Sequence, residues 1–299
     1  MLRRQLVRTA ALASLVGAAS CLTTAHAQTQ APKIGRFTSE KRAYSTHSYW
    51  IEGPTGLILV DTQFLPSDAA KFVDAAERST GKKAVLAIVL HPNPDKFNGT
   101  ATLQARGIKV ITSDQVLALI PSVHTIRTGW FYDDFKPDYP KDAAKPDSFG
   151  NRSTEINAAG LAIKLHVLGG AGCSGAHVVA QVADSIFVGD LLANKGHAWM
   201  ELALFDDWLK RLDELDALKP ARIYLGRGEA AGPELIAANR TYLQTVRRLV
   251  LAEKPSGELG FFKRRGLKST ITDAFPGYEW DAFVWEALPD IWRKLRVSL

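Results

Sequence analysis

Ile88-Val89-Leu90-His91-Pro92-Asn93-Pro94-Asp95-Lys96-Phe97-Asn98-Gly99 decides how the chain is read. An apolar run stops at a histidine, and two prolines, an aspartate, a lysine and a glycine follow at once. Short apolar runs bounded by turn residues read as buried strands. Pro92 and Pro94 forbid this strand from continuing. The same pattern returns at Val60-Asp61-Thr62, Leu168-Gly169-Gly170, Val188-Gly189-Asp190 and Leu225-Gly226-Arg227-Gly228. In α/β sheets the strand ends converge on one edge, so turns bearing His, Cys, Asp and Arg place a candidate site there.

Along the chain, strands are predicted at Leu57–Asp61, Ala84–Leu90, Lys109–Thr112, Ala162–Val167, Val178–Val182, Ser185–Val188 and Arg222–Leu225. Helices are predicted at Pro66–Ser79, Thr100–Arg106, Glu201–Leu218, Glu234–Ala252 and Ala282–Leu295. Leu204, Trp208, Leu212 and Leu215 share one helix face, and Trp285, Leu288 and Trp292 form another stripe. Gly129–Arg152 and Lys254–Gly277 read as long loops, with Gly129-Trp130-Phe131-Tyr132 either an apolar lip over the site or an anchor packed on the core. The basic cluster Lys263-Arg264-Arg265 reads as a solvated turn.

The 299 residues are 46% hydrophobic and 23% charged, which excludes disorder, collagen and coiled coil. Residues 1–27 read as an export signal: a basic start, an apolar stretch from Thr9 to Leu22, and the small-x-small site Ala25-His26-Ala27. The mature chain, 28–299, is then expected in the periplasm as one domain. Arg3-Arg4 leaves general and twin-arginine export both open. Arg3, Arg4 and Arg8 supply three of the six net positive charges, and the remainder are too dispersed for a nucleic-acid footprint. No later apolar run is long enough to cross a membrane. With Cys21 in the signal, Cys173 is the one thiol of the mature chain, so it is either buried and inert or held in a site.

The ordered turns resemble those of the metallo-β-lactamase fold superfamily from about residue 45 to 230, with a helical extension from about 234 to 299. Ser48–Pro54 leading into Leu57–Thr62 is similar to its opening hairpin. His91–Gly99 stands where that family carries His-x-His-x-Asp-His, Gly172-Cys173-Ser174 where it has Gly-His-Thr/Ser, Val188-Gly189-Asp190 at its metal-bridging aspartate, and Gly226-Arg227-Gly228 at its closing Gly-His-Gly. The resemblance implies an α/β fold, a four-layer αββα sandwich, in a family of mostly zinc hydrolases. It also makes Asp61 a structural hydrogen-bond acceptor near the site.

Of the seven family positions that hold two zinc ions, His91, Asp95 and Asp190 keep the family residue. The others are Asn93, Lys96, Cys173 and Arg227. An amide is a poor zinc ligand, and a charged ammonium or guanidinium is none. At an effective dielectric near 20, a lysine or arginine about 4 Å from a dication is disfavoured by roughly 8 kcal/mol, whereas beside an aspartate it gains roughly 4 kcal/mol before desolvation. Lys96 and Arg227 are therefore expected to take over the charge-neutralising role of one metal.

The other subsite keeps His91, Cys173 and Asp190, a nitrogen, sulfur and oxygen trio that suits one Zn2+ with an open position for water. Asp95 would orient that water, and Lys96 or Arg227 would stabilise an oxyanion. The expectation is a hydrolase of a small ester, lactone or amide with at most one zinc. The alternative is a non-catalytic relative that uses the cleft to bind a small anionic ligand or a protein partner. A metal-free thiol hydrolase using Cys173 is a third reading. His177 is expected to pack rather than pair with the thiol, and His197 is open between core and pocket mouth.

Overall fold

The computed structural model describes residues 32–297, and the expected signal segment lies outside them. Two sheets carry the strands. The first comprises β1 (Lys33–Thr38), β2 (His47–Glu52), β3 (Leu57–Val60), β4 (Ala84–Ile88), β5 (Lys109–Thr112) and β6 (Asp147–Ser148), in that order. β1 to β3 form an antiparallel meander, and β3 to β6 run parallel. The second sheet comprises β7 (Thr154–Ala158), β8 (Leu161–Leu168), β9 (His177–Val182), β10 (Ser185–Gly189) and β11 (Arg222–Leu225), antiparallel except for the parallel β10–β11 pair.

Alternation along β9 shows how the layers assemble. Val178 and Ala180 point into the core shared with the first sheet, while Val179 faces the second core with Val188 and Leu212. Strands covered on both faces need apolar residues at successive positions, which is why these runs lack the polar alternation of a half-exposed sheet. Helix α1 (Pro66–Thr80) covers the first sheet with Phe72 and Val73. Short helices α2 (Pro94–Phe97) and α3 (Thr100–Ala105) follow β4. After α4 (Asp114–Phe135), the helices α5 (Phe205–Ala217), α6 (Glu234–Ala252), α7 (Phe261–Ala274) and α8 (Asp281–Val297) build the other outer layer. The result is the helix–sheet–sheet–helix sandwich expected from the sequence.

Two expected loops are helical in part, the first only up to Phe135 and the second over most of its length. The first, Gly129–Arg152, begins inside α4, which runs unbroken to Phe135 and is N-capped by Ser113 accepting from the Val116 N–H. The second, Lys254–Gly277, contains α7. In α4 the buried positions Val116, Ile120, His124 and Arg127 have helical spacing, but two of the four are polar, so apolar periodicity does not reveal them. Helix Glu201–Leu218 starts four residues late, at Phe205. Strand β1 and β7 were not expected.

Candidate functional site

Strand ends β3, β4, β10 and β11 deliver their turns to one place, as parallel pairing requires. The two sheets are tied there by backbone bonds, Val178 N–H to the Leu90 carbonyl (2.7 Å) and His47 N–H to the Gly226 carbonyl (2.9 Å). Pro94 opens α2 with its fixed φ and puts Asp95 and Lys96 on a single buried turn. Thr62 holds that turn through its backbone N–H (2.8 Å) and its hydroxyl (3.0 Å), both donated to the Lys96 carbonyl.

Four charges meet at this turn. The Lys96 ammonium, fully buried, stands 2.9 Å from Asp95 Oδ2 and 3.1 Å from Asp190 Oδ1. The Arg227 guanidinium donates Nη2 to Asp95 Oδ2 (2.9 Å) and Nη1 to Asp190 Oδ2 (2.7 Å). It also donates Nε to the Tyr44 carbonyl (3.0 Å) and Nη2 to Thr46 Oγ1 (3.3 Å). Two carboxylates and two cations thus cancel, each acid bridged to both bases. Gly226 permits the approach: a Cβ there would lie 2.1 Å from Asp190 Oδ1 and 2.4 Å from Lys96 Nζ.

Burial alone would strip the proton from Lys96 and Arg227. The facing aspartates outweigh it and hold both pKa values above their ordinary range. Burial likewise opposes ionisation of Asp190 and Asp95, but Arg227 and Lys96 keep both carboxyls below the usual carboxylate range. All four groups are charged at neutral pH.

His91 is fully buried beside this cluster. Burial lowers its pKa to about 4, so its 3.8 Å approach to Asp190 Oδ2 is not an ion pair at neutral pH. Its Nε2 accepts the Asp190 backbone N–H (3.4 Å), and its Nδ1 has no hydrogen-bond partner. Burial pushes the Cys173 thiol well above its ordinary pKa, which makes it a poor nucleophile. Asp61 accepts the Leu90 N–H at 3.0 Å, as the resemblance implied, and burial raises its pKa to about 8.

A zinc centre does not fit this donor set. The oxygens of Asp190 that would bind a metal already accept from Lys96 and Arg227, and Lys96 Nζ lies between the two carboxylates. Among the described residues, no group of three or more His, Cys, Asp or Glu side chains is arranged to hold a metal ion. His91 and Asp190 are adjacent, but the trio with Cys173 is not assembled as a metal site.

The remaining histidines serve structure. His177 packs its ring 5.5 Å from that of His91 and sets Nε2 against the Ser174 backbone. His197 is buried, with Nδ1 3.0 Å from the Tyr242 hydroxyl, and lines a smaller adjoining pocket with Asp190 and Arg227 rather than the main cavity. His124 stacks on Tyr139.

Above the charge cluster opens a cavity of about 520 Å3. Asp95, Asp190 and Arg227 lie in it together with Tyr44, Phe64, Arg127, Trp130, Phe131, Trp199 and Phe283. Trp130 and Phe131 therefore reach the site from α4, while Phe131 also packs against Phe64 and Tyr139. Sequence reading missed Arg127 and Phe283. Neither stands in a strand-end turn, and Phe283 comes from α8.

Two measurable consequences arise here. Cys173 should resist dithionitrobenzoate in the native protein and react fully once unfolded; rapid native labelling would place the thiol at an open surface. Acid should destabilise the fold. A histidine whose folded pKa is depressed contributes full stability above its unfolded value of about 6.5 and loses it as pH falls toward the folded value. His91 and His47 are both lowered to about 4, chiefly by burial. On the order of 3 kcal/mol should be lost at His91 between pH 6.5 and 4, with somewhat less at the incompletely buried His47. Below that range, protonation of Asp95 and Asp190 removes more. A flat urea-unfolding free energy from pH 7 to 4 would contradict this.

No curated protein matches the sequence. Solved structures do match the fold. A metallo-beta-lactamase from Pontibacter korlensis superposes with a TM-score of 0.58 at 17% identity, covering 71% of this chain and 95% of its own. FIM-1 from Pseudomonas aeruginosa, solved in a mono-zinc form, gives 0.53 at 16% identity, covering 71% and 89%. At such identities the likeness concerns the fold alone. The family profile of the metallo-beta-lactamase superfamily matches residues 42–227, which end on the arginine of the charge cluster. From the opening hairpin to that last turn, the chain belongs to the metallo-β-lactamase superfamily.

Proposed function

We propose that this chain is an exported, metal-independent member of its superfamily that binds a small molecule in the cleft. Lys96 and Arg227 supply the positive charge that a metal pair supplies elsewhere in the fold. The observation that carries this reading over a one-zinc hydrolase is the bridging of both carboxylates by both cations. A zinc ion at Asp190 would have to break two of those ion pairs and leave a buried lysine or arginine facing a dication.

Among the described residues, the side chains of the cleft also lack the makings of a metal-free hydrolase. Asp95 and Asp190 are held ionised by hydrogen bonds and ion pairs, which makes them weak general bases. Cys173 is buried and protonated. What remains is a walled cavity of ligand size with a fixed polar floor, the form of a binding site.

Elemental analysis of protein made without a His tag, paired with melting before and after chelation, tests this. Expected is no stoichiometric zinc and an unchanged melting temperature. One equivalent of zinc, lost in Cys173→Ser or His91→Ala, would overturn it in favour of the hydrolase.

A further inference from the structure

We infer that the cleft selects an uncharged, planar aromatic molecule bearing a hydrogen-bond acceptor. This rests on the binding reading above and names its ligand class. Six of the side chains lining the cavity are aromatic: Tyr44, Phe64, Trp130, Phe131, Trp199 and Phe283. Aromatic walls of this kind favour flat partners in offset or edge-to-face contact.

Each charge that lines the cavity already has a partner, Glu286 standing 3.6 Å from Arg264 outside it. Lys96 and Arg227 neutralise Asp95 and Asp190. Arg127, on another wall, donates Nη1 and Nη2 to the two carboxylate oxygens of Glu201 and lies 4.0 Å from the Trp130 ring centroid and 5.6 Å from that of Trp199. Arg227 lies 5.5 Å from the ring of Phe283. An entering anion would meet cations already satisfied by carboxylates and π faces, and would face Asp95 and Asp190 at close range. An entering cation would find those carboxylates equally occupied. Desolvating either kind of charged ligand is therefore uncompensated. The anionic ligand expected from the sequence would have to compete with Asp95 and Asp190 for Lys96 and Arg227.

A polar handle remains. Of the five N–H groups of Arg227, four are donated within the protein, leaving one on Nη1. The half-buried Asn93 also lines the cavity. A ligand carbonyl or amide suits these groups. Phe283 comes from α8, outside the stretch matched to the family, so that part of the aromatic wall comes from this chain's C-terminal extension.

Three naphthalene probes of one shape and different charge test the inference by calorimetry: 2-naphthamide, 2-naphthoate and 2-naphthylmethylammonium. Expected is binding of 2-naphthamide at least about tenfold tighter than either charged probe. Phe283→Leu, which keeps apolar volume but removes the ring, should weaken the amide by about fivefold to tenfold with melting unchanged. No binding of the amide, equal or tighter binding of a charged probe, or an unaltered affinity in Phe283→Leu would each overturn the ligand class. The titrations are repeated with chelator and with added zinc. An affinity that depends on zinc overturns the metal-independent reading, whatever the order of the probes.

Discussion

Replacing Lys96 with methionine should lower the free energy of unfolding by about 3–5 kcal/mol, because it leaves two buried carboxylates facing a single guanidinium. Methionine keeps most of the side-chain length and apolar stem, so little of the loss comes from a cavity. The ammonium is fully buried and bridges Asp95 and Asp190, whose side chains solvent touches over only a small part of their surface. Adding Asp190→Asn to Lys96→Met should recover part of the loss, because one unpaired charge is removed. The pair should thus show a coupling energy of about 1–3 kcal/mol in a double-mutant cycle. Urea unfolding of the four proteins measures it. A cost under about 1 kcal/mol for Lys96→Met, the size of an exposed ion pair, would mean that the cluster is solvated.

A larger effect should follow from restoring metal ligands. Asn93, Lys96, Cys173 and Arg227 stand where the family carries histidines, and changing all four to histidine removes two cations while adding four neutral nitrogen donors. Each displaced cation lifts roughly 8 kcal/mol of repulsion toward a dication about 4 Å away at an effective dielectric near 20. Structural zinc sites reach apparent binding energies of about 10–16 kcal/mol at neutral pH, so the gain should be several orders of magnitude in zinc affinity. Equilibrium dialysis should find zinc on the quadruple variant and not on its parent, with the variant melting higher when loaded. A folded quadruple variant that takes up no zinc would show that more than the ligands has diverged. The single variant Arg227→His should gain little, since Lys96 still stands between the carboxylates.

The charge cluster was legible in the sequence because it sits in turns, where chain order and spacing locate residues in space. Asp95 and Lys96 follow β4, Asp190 follows β10 and Arg227 follows β11, and parallel strands bring those ends together. The pairing of Lys96 and Arg227 with the aspartates followed from their charge together with the family positions they occupy. The metal trio was not legible in the same way. A list of donor atoms says nothing of whether their lone pairs are already engaged, and those of Asp190 are.

The walls of the cleft were harder to read. Helix α4 hides its period because His124 and Arg127 take inward positions that apolar residues would mark. Arg127 is buried there because Glu201 pairs with it, a tertiary contact with no local signature, while Trp130 covers it from one turn along the same helix. Helix α7 buries only Leu267 and Ile271, one turn apart, too few to separate it from a polar loop. Phe283 joins the site through the packing of α8 on α7 and α6, which no motif records.

Anomalous diffraction at the zinc edge, from crystals grown with the ion in excess, is the most direct examination of whether side chains replace metal here. Expected is an anomalous map without a peak in the cleft, and Lys96 Nζ within ion-pair distance of both Asp95 and Asp190. A peak between those two carboxylates, with Lys96 and Arg227 turned away from them, would contradict it.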